Sequence, residues 1–157
     1  MRDSVGGTFM IYVLIIFLAV YIVFVAVAFN YARAFRVKNK VIDIIEQNEG
    51  IREWDDGTEG KDYSKITSGI FGQIDDYLES ISYRVNGITE DNNCPGADYV
   101  SERGICISKI EQDSSVDGLK SSYYKVRTFA YIEFPFWNLH FEIPINGETR
   151  KIERITE

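Results

Sequence analysis

The apolar and polar positions of this chain fall into three successive patterns. Residues 8–30 form an unbroken run of 23 residues without a charge, a proline or a glycine. A helix rises about 1.5 Å per residue, so this run is ~34 Å long, against a bilayer hydrocarbon core about 30 Å thick. A buried core helix of the same composition needs a large domain around it, and the remaining residues are polar. The run therefore predicts a transmembrane helix. Residues 31–50 contain no helix breaker before Gly50 and place Phe35, Val37, Val41, Ile42, Ile44 and Ile45 mostly on one helical stripe. They predict an amphipathic continuation of the same helix, a stalk, with Gly50 at the C′ position that ends it. One helix over about 8–48 is ~60 Å long. Its second half needs a packing partner, and the C-terminal part of the chain is the natural one.

Residues 51–63 read as a polar loop. Residues 64–85 predict a second helix, because Ile66, Ile70, Ile74, Leu78 and Ile81 step by three or four. Asn86-Gly87 then turns the chain, 88–103 read as loop, 105–110 as a short alternating strand, and 112–122 as another polar loop. Residues 124–134 alternate Tyr124, Val126, Thr128, Ala130, Ile132 and Phe134 against Lys125, Arg127 and Glu133, a half-buried strand bounded by Pro135. The next strand puts Trp137, Leu139, Phe141, Ile143 and Ile145 on one face and Asn138, His140, Glu142 and Pro144 on the other. Pro144 suits an edge or a bulge. Asn146-Gly147 predicts a type I′ hairpin into a third strand at 149–155. The expected fold is α+β: a long N-terminal transmembrane helix, continued as an amphipathic stalk and packed on a C-terminal antiparallel β-sheet head. The expected core is Val126, Ala130, Ile132, Phe134, Leu139, Phe141 and Ile143, covered by Ile66, Ile70, Ile74 and Leu78. The chain thus divides into a polar leader (1–7), the membrane helix (8–30), the stalk (31–50) and the head (51–157).

Charge sharpens this division. The net charge of −7 combines a basic N-terminal part with an acidic remainder. Residues 1–40 hold Arg2, Arg33, Arg36, Lys38 and Lys40 against Asp3, whereas residues 41–157 hold 12 Lys and Arg against 23 Asp and Glu. An acidic head argues against nucleic-acid binding, which needs Lys and Arg for phosphate. The two cysteines, Cys94 and Cys106, flank a Pro-Gly turn and suit a disulfide-closed loop; the other reading is two free thiols in a reducing compartment. A metal site usually wants three or four ligands, and His140 is the only histidine. Asp55, Asp56, Glu59 and Asp62 could offer oxygens to calcium, but their spacing is not that of an EF-hand, and a solvated loop is the simpler reading. His140 reads as an ordinary cross-strand or surface residue. No nucleophile–base set or glycine-rich phosphate loop is legible, so neither an enzyme nor a cofactor is expected. Helix packing in lipid favours small residues. Ala19, Ala26 and Ala28, with Ala32 and Ala34 beyond them, are the small positions on the first helix, and Ala19 and Ala26 are one heptad apart.

The segment Asp3-Ser-Val-Gly-Gly-Thr-Phe-Met, the apolar run after it, and Asn30-Tyr-Ala-Arg-Ala-Phe-Arg-Val-Lys-Asn-Lys-Val-Ile-Asp-Ile-Ile-Glu resemble the N-terminal part of TadE-type, type IV pilin-like pseudopilins of Gram-positive bacteria. Phe134-Pro-Phe-Trp-Asn-Leu and Ile145-Asn-Gly-Glu-Thr-Arg-Lys-Ile are similar to their strand-hairpin ending. The resemblance covers the first 50 residues and the last 35. It implies a membrane-anchored structural subunit of a surface filament or secretion apparatus, partnered by other pilin-like subunits through the N-terminal helix. It also implies leader cleavage after Gly6 or Gly7. Cleavage after Gly7 puts Tyr12 at the fifth mature position, and cleavage after Gly6 puts Ile11 there, where the family commonly has Glu. That departure points to a minor, initiating or tip subunit. A separate small-x-small site at Ala26-Val27-Ala28 follows an apolar run longer than a secretory signal uses. Arg33, Arg36, Lys38 and Lys40 outnumber Arg2 and by the positive-inside rule place the C-terminal side in the cytoplasm, while a disulfide and the resemblance place it outside. Large domains translocate despite flanking charge, and the outside orientation is the one expected. The alternative function, from another class, is a single-pass sensory or accessory protein whose acidic head binds a partner.

Overall fold

The structure, a computed structural model, describes residues 2–51, 69–113, 119–134 and 139–155. The Asp55, Asp56, Glu59 and Asp62 cluster, Ile66 and Trp137 lie outside the described residues, as do the side chains of Phe134 and Leu139. The first helix, α1, runs unbroken over Arg2–Gln47, 46 residues that include the leader expected to stand apart from it. It closes in a Schellman turn: Glu49 N–H donates to Glu46 O, and Gly50 N–H donates to Ile45 O. Glu49 takes the left-handed conformation at C′ (φ 55°), with Gly50 (φ 93°) following it, so the glycine expected at C′ stands one residue later.

The second helix, α2, is Gly69–Ser80. It ends well before Val85, where periodicity had carried it, because Ser82 turns left-handed and Tyr83 N–H closes back onto Leu78 O. Ile70, Phe71, Ile74 and Leu78 are its buried side chains. The sheet has five antiparallel strands, β1 (Tyr99–Val100), β2 (Ile105–Asp113), β3 (Leu119–Phe134), β4 (Leu139–Glu148) and β5 (Ile152–Ile155), in the order β1-β2-β3-β4, with β5 also on β3. The polar stretch 112–122 is not simply a loop: β2 extends to Asp113 and β3 begins at Leu119, with Asp113 opposite Lys120.

Asn146-Gly147 does not turn. Asn146 stands opposite Arg127 and Gly147 opposite Val126, both inside β4. The glycine serves packing: a Cβ there would lie 2.7 Å from Lys38 Cδ and 2.8 Å from Ile42 Cδ1 of α1. A glycine inside a strand often marks such a close approach. The chain continues antiparallel to β3 through a bulge. Lys125 pairs with Glu148 and Ser122 with Ile152, so two residues of β3 face Thr149, Arg150 and Lys151. Thr149 secures the bulge: its N–H donates to Tyr124 O, and its Oγ1 accepts from Tyr124 N–H. The third expected strand therefore shrinks to β5 and pairs with β3.

The core lies between the sheet and the two helices. Val37, Val41, Ile44 and Ile45 of α1 meet Ile105, Ile107, Tyr124, Val126, Ala130 and Ile145 in one buried cluster that also holds Ile74 and Leu78. Thr128, in the middle of that face, donates its hydroxyl to the Ala34 carbonyl, 3.2 Å away, which satisfies a buried polar group. The Phe71 and Tyr99 rings, centroids 4.3 Å apart, join α2 to the β1 side. The expected core is corrected at its far end. Phe141 and Ile143 occupy the predicted face, opposite Ile132 and Ala130, yet are 52% and 39% exposed. The alternation identified the face, but α1 covers β3 and the Ile145 end of β4 and leaves the rest of this edge strand open. The opposite face of the sheet is also covered. Val85, Cys94, Cys106 and Phe129 are buried there, with Ile88 packed against them, so 83–98 forms a second lid.

Candidate functional site

The most conspicuous surface is the first half of α1. Every large apolar side chain from Phe9 to Phe24 is between 38% and 72% exposed. By length and composition this helix is able to cross a membrane, and it is the one such helix among the described residues. Ala19, Ala26 and Ala28 lie on this bare part of the helix. Ala34, by contrast, is buried where the helix enters the head. Gly6 and Gly7, the predicted cleavage positions, are helical, and nothing lies within 4 Å of a Cβ placed on Gly7.

A collar of basic residues marks the entry into the head. Arg33 donates through one guanidinium nitrogen to the carbonyls of Ile81 and Ser82 (2.8 Å to the latter), at the C-terminal end of α2. Those carbonyls lack intrahelical partners and carry the negative end of the helix dipole, so a cation there is stabilising. Lys38 is buried against Gly147, with its Nζ 4.1 Å from the centroid of the Phe35 ring. Of the four basic residues that weighed on orientation, Arg33 thus has hydrogen-bond partners in the head, and Lys38 packs its stem on Gly147 of the head while its ammonium lies over Phe35 of its own helix. Beside them a cleft of about 580 Å³ opens between α1 and α2, lined by Phe29, Arg33, Arg36, Val37, Tyr77 and Ile81 among others.

Cys94 and Cys106 form a disulfide with Cα atoms 6.0 Å apart, within the usual range. The bond ties the 83–98 lid to β2. A shallow depression of about 490 Å³ lies beside it, lined by Asp98, Lys109, Lys125, Arg127 and Glu148 among others. Its charges are largely matched: Lys109 Nζ–Glu111 2.8 Å, Lys125 Nζ–Glu148 3.5 Å, and Arg127 donating to Asn146 Oδ1 and Asn93 O, both at 2.8 Å. His140 is exposed on β4, its ring stacked 6.2 Å from that of Tyr131. Among the described residues no three His, Cys, Asp or Glu side chains gather in metal-binding geometry.

Two residues that pattern reading passed over organise the head. Tyr83, in the turn after α2, donates its hydroxyl to Phe129 O (2.8 Å) and accepts from Phe129 N–H (3.0 Å). β2 begins at Ile105, opposite Thr128, so Phe129 is the first β3 residue without a β2 partner, and the phenol substitutes for the missing strand. Burial pushes the Tyr83 phenol up to about 12. The second is Arg33. An arginine within one turn of the end of a membrane run signals topology in sequence, and only the packing of α2 reveals it as a helix cap. No family model matches this chain, and no curated protein or solved structure matches it either.

Proposed function

We propose that this chain is a membrane-anchored, pilin-like structural subunit, a minor pilin or pseudopilin of a type IV or Tad-like surface filament or secretion apparatus, with its head outside the cell. The observation that carries the reading is the continuity of α1. One helix of 46 residues is bare over its apolar half and built into the head core over its amphipathic half. A simple anchor needs only about 20 apolar residues and can end in a flexible linker. Here a rigid rod couples membrane to head, so a force or packing contact on the apolar half is transmitted to the displayed sheet. In this reading the apolar half is stored in the bilayer and packs against other subunits' helices during assembly.

The disulfide favours an oxidising location for the head. The hydrogen bonds of Arg33 to the head and the packing of the Lys38 stem on Gly147 give these two basic residues a structural reason that does not require a cytoplasmic head. The test is mechanical shearing of cells followed by blotting of the sheared and membrane fractions for this chain. A filament subunit is released in part by shear and remains in part in the membrane. Complete retention in membranes, together with a head resistant to external protease, would count against both the filament and the orientation.

A further inference from the structure

The cleft between α1 and α2 differs from the rest of an acidic head in its charge. Arg33 and Arg36 line it, and no carboxylate does so among the described residues. Phe29, Arg33 and Arg36 are four and three residues apart, so they share one face of α1. Tyr77 and Ile81 face them from the end of α2, one turn apart, with Ile81 N–H bonded to Tyr77 O. The volume of about 580 Å³ is within the range of small-molecule sites.

The polar groups of this cleft have donors to spare. Arg33 engages the Ile81 and Ser82 carbonyls through Nη2 alone, which holds the guanidinium in place and leaves its Nε and Nη1 donors free among the described residues. Arg36 is exposed and has no hydrogen-bond or ion-pair partner among the described residues, and neither does the Tyr77 hydroxyl. Two guanidinium groups with no carboxylate between them suit one concentrated negative charge, and their planar donors match phosphate oxygens.

Position along α1 identifies the source of that phosphate. The apolar run ends at Asn30, and Arg33 and Arg36 follow it by about 4.5 and 9 Å of helix. The headgroup layer adds about 5–7 Å to each side of the hydrocarbon core. Side chains on a helix lean towards its N-terminus, which here is the membrane side, so both guanidinium groups are carried back into that layer. Phe29 extends the cleft in the same direction: it lies about two turns before Arg36 and is 72% exposed.

We propose that this cleft seats one anionic phospholipid of the bilayer that α1 crosses. Arg36 and the free donors of Arg33 hold its phosphodiester, the Tyr77 hydroxyl offers a further donor, and an acyl chain runs from Phe29 down the bare half of α1. Phosphatidylglycerol fits because its headgroup adds no positive charge, whereas the choline of a zwitterionic lipid brings a third cation beside two arginines. The inference rests on α1 crossing the membrane and not on filament assembly. A lipid held between α1 and α2 fixes the height and rotation of the head at the membrane surface.

The test offers the full chain, in dodecylmaltoside micelles, equal amounts of dioleoyl phosphatidylglycerol and dioleoyl phosphatidylcholine, and counts retained lipid by native mass spectrometry. One phosphatidylglycerol should stay bound and exceed phosphatidylcholine several-fold. Arg36→Gln should lower that adduct several-fold, because it removes the cation and its charge-assisted bonds. Lys40→Gln, an equal loss of charge outside the cleft on the same helix, should leave it unchanged. Lipid-free Arg36→Gln should melt with the wild type; a lower melting temperature makes Arg36 a structural residue and overturns the proposal. Equal retention of the two lipids overturns it, as does an equal loss in the two variants, which reduces the effect to net charge. Displacement of the lipid by millimolar inorganic phosphate assigns the cleft to a free anion and also overturns it. Extraction of the chain from phosphatidylglycerol vesicles by alkaline carbonate removes the anchor and this site together, whereas a carbonate-resistant chain without the adduct loses the site alone.

Discussion

At the residue scale the head depends on a few polar side chains that replace backbone partners. Tyr83 is the clearest case, since its hydroxyl satisfies both backbone groups of the buried Phe129. Tyr83→Phe leaves those groups orphaned and should lower stability by ~1–3 kcal/mol, read by denaturation of the full chain in detergent. The same residue sets an alkaline limit. Its phenol titrates at 10.0 in the unfolded chain and at about 12 in the fold. The raised value means that its contribution is intact below pH 10 and is lost as pH climbs through that window, by roughly 2–3 kcal/mol. A stability–pH curve of Tyr83→Phe should therefore fall less steeply than wild type between those limits; identical slopes would show that other groups carry the alkaline loss. Burial separates two phenylalanines in the same way. Phe71 is fully buried against Tyr99, and Phe71→Ala should cost about 3–5 kcal/mol. Phe141, despite its core-like position in the strand pattern, is half exposed, and Phe141→Ala should cost under about 1 kcal/mol in detergent. Equal losses for the two would mean that the β4 edge is covered after all.

At the element scale, the disulfide and α1 carry separate predictions. The lid at 83–98 has few regular backbone ladders of its own and is held to the sheet by Cys94–Cys106, Arg127 and Tyr83. Replacing both cysteines by alanine should lower stability by ~3 kcal/mol in the chain-entropy picture of a loop this size. The intact bond should also appear as a mass two hydrogens below the reduced chain without reductant; two free thiols in mature protein would sink both the bond and its support for an outside head. Helix α1 makes a different claim. If its small residues form a packing face, Ala19→Leu with Ala26→Leu should abolish incorporation into sheared filaments while membrane levels hold, because leucine is at least as apolar as alanine. Normal incorporation of the double variant would mean that these alanines merely face lipid.

At the scale of the whole molecule the design is a rod with a head fastened along its side. The sheet does not sit at the end of the helix. Strand β3 runs antiparallel to it, from the level of Glu46 down to Ala34, so head and stalk overlap in height. That overlap stiffens the junction. Bending the stalk part of α1 would have to strip Ala34, Lys38 and Ile42 from Thr128 and Gly147 at once.

The sequence by itself determined those features that depend on short-range periodicity and length. A charge-free run longer than a bilayer is thick, an amphipathic stripe without a breaker, the alternation along 124–134 and the inward face of β4 are all consequences of where apolar residues recur, and they survive in the fold. The cysteine pair was legible for the same reason, a short loop with a turn in it. Tertiary structure alone decided what each face meets. Asn146-Gly147 carries a strong local turn signal, yet the close approach of α1 at Lys38 and Ile42 uses that glycine as space inside a strand. Phe141 and Ile145 share one alternating pattern, yet only Ile145 lies under the helix. Arg33 and Tyr83 are unremarkable in sequence because their partners are backbone groups 46 to 49 residues away. Backbone groups leave no residue-type signature, so such bonds are fixed only when two distant elements have already found their register.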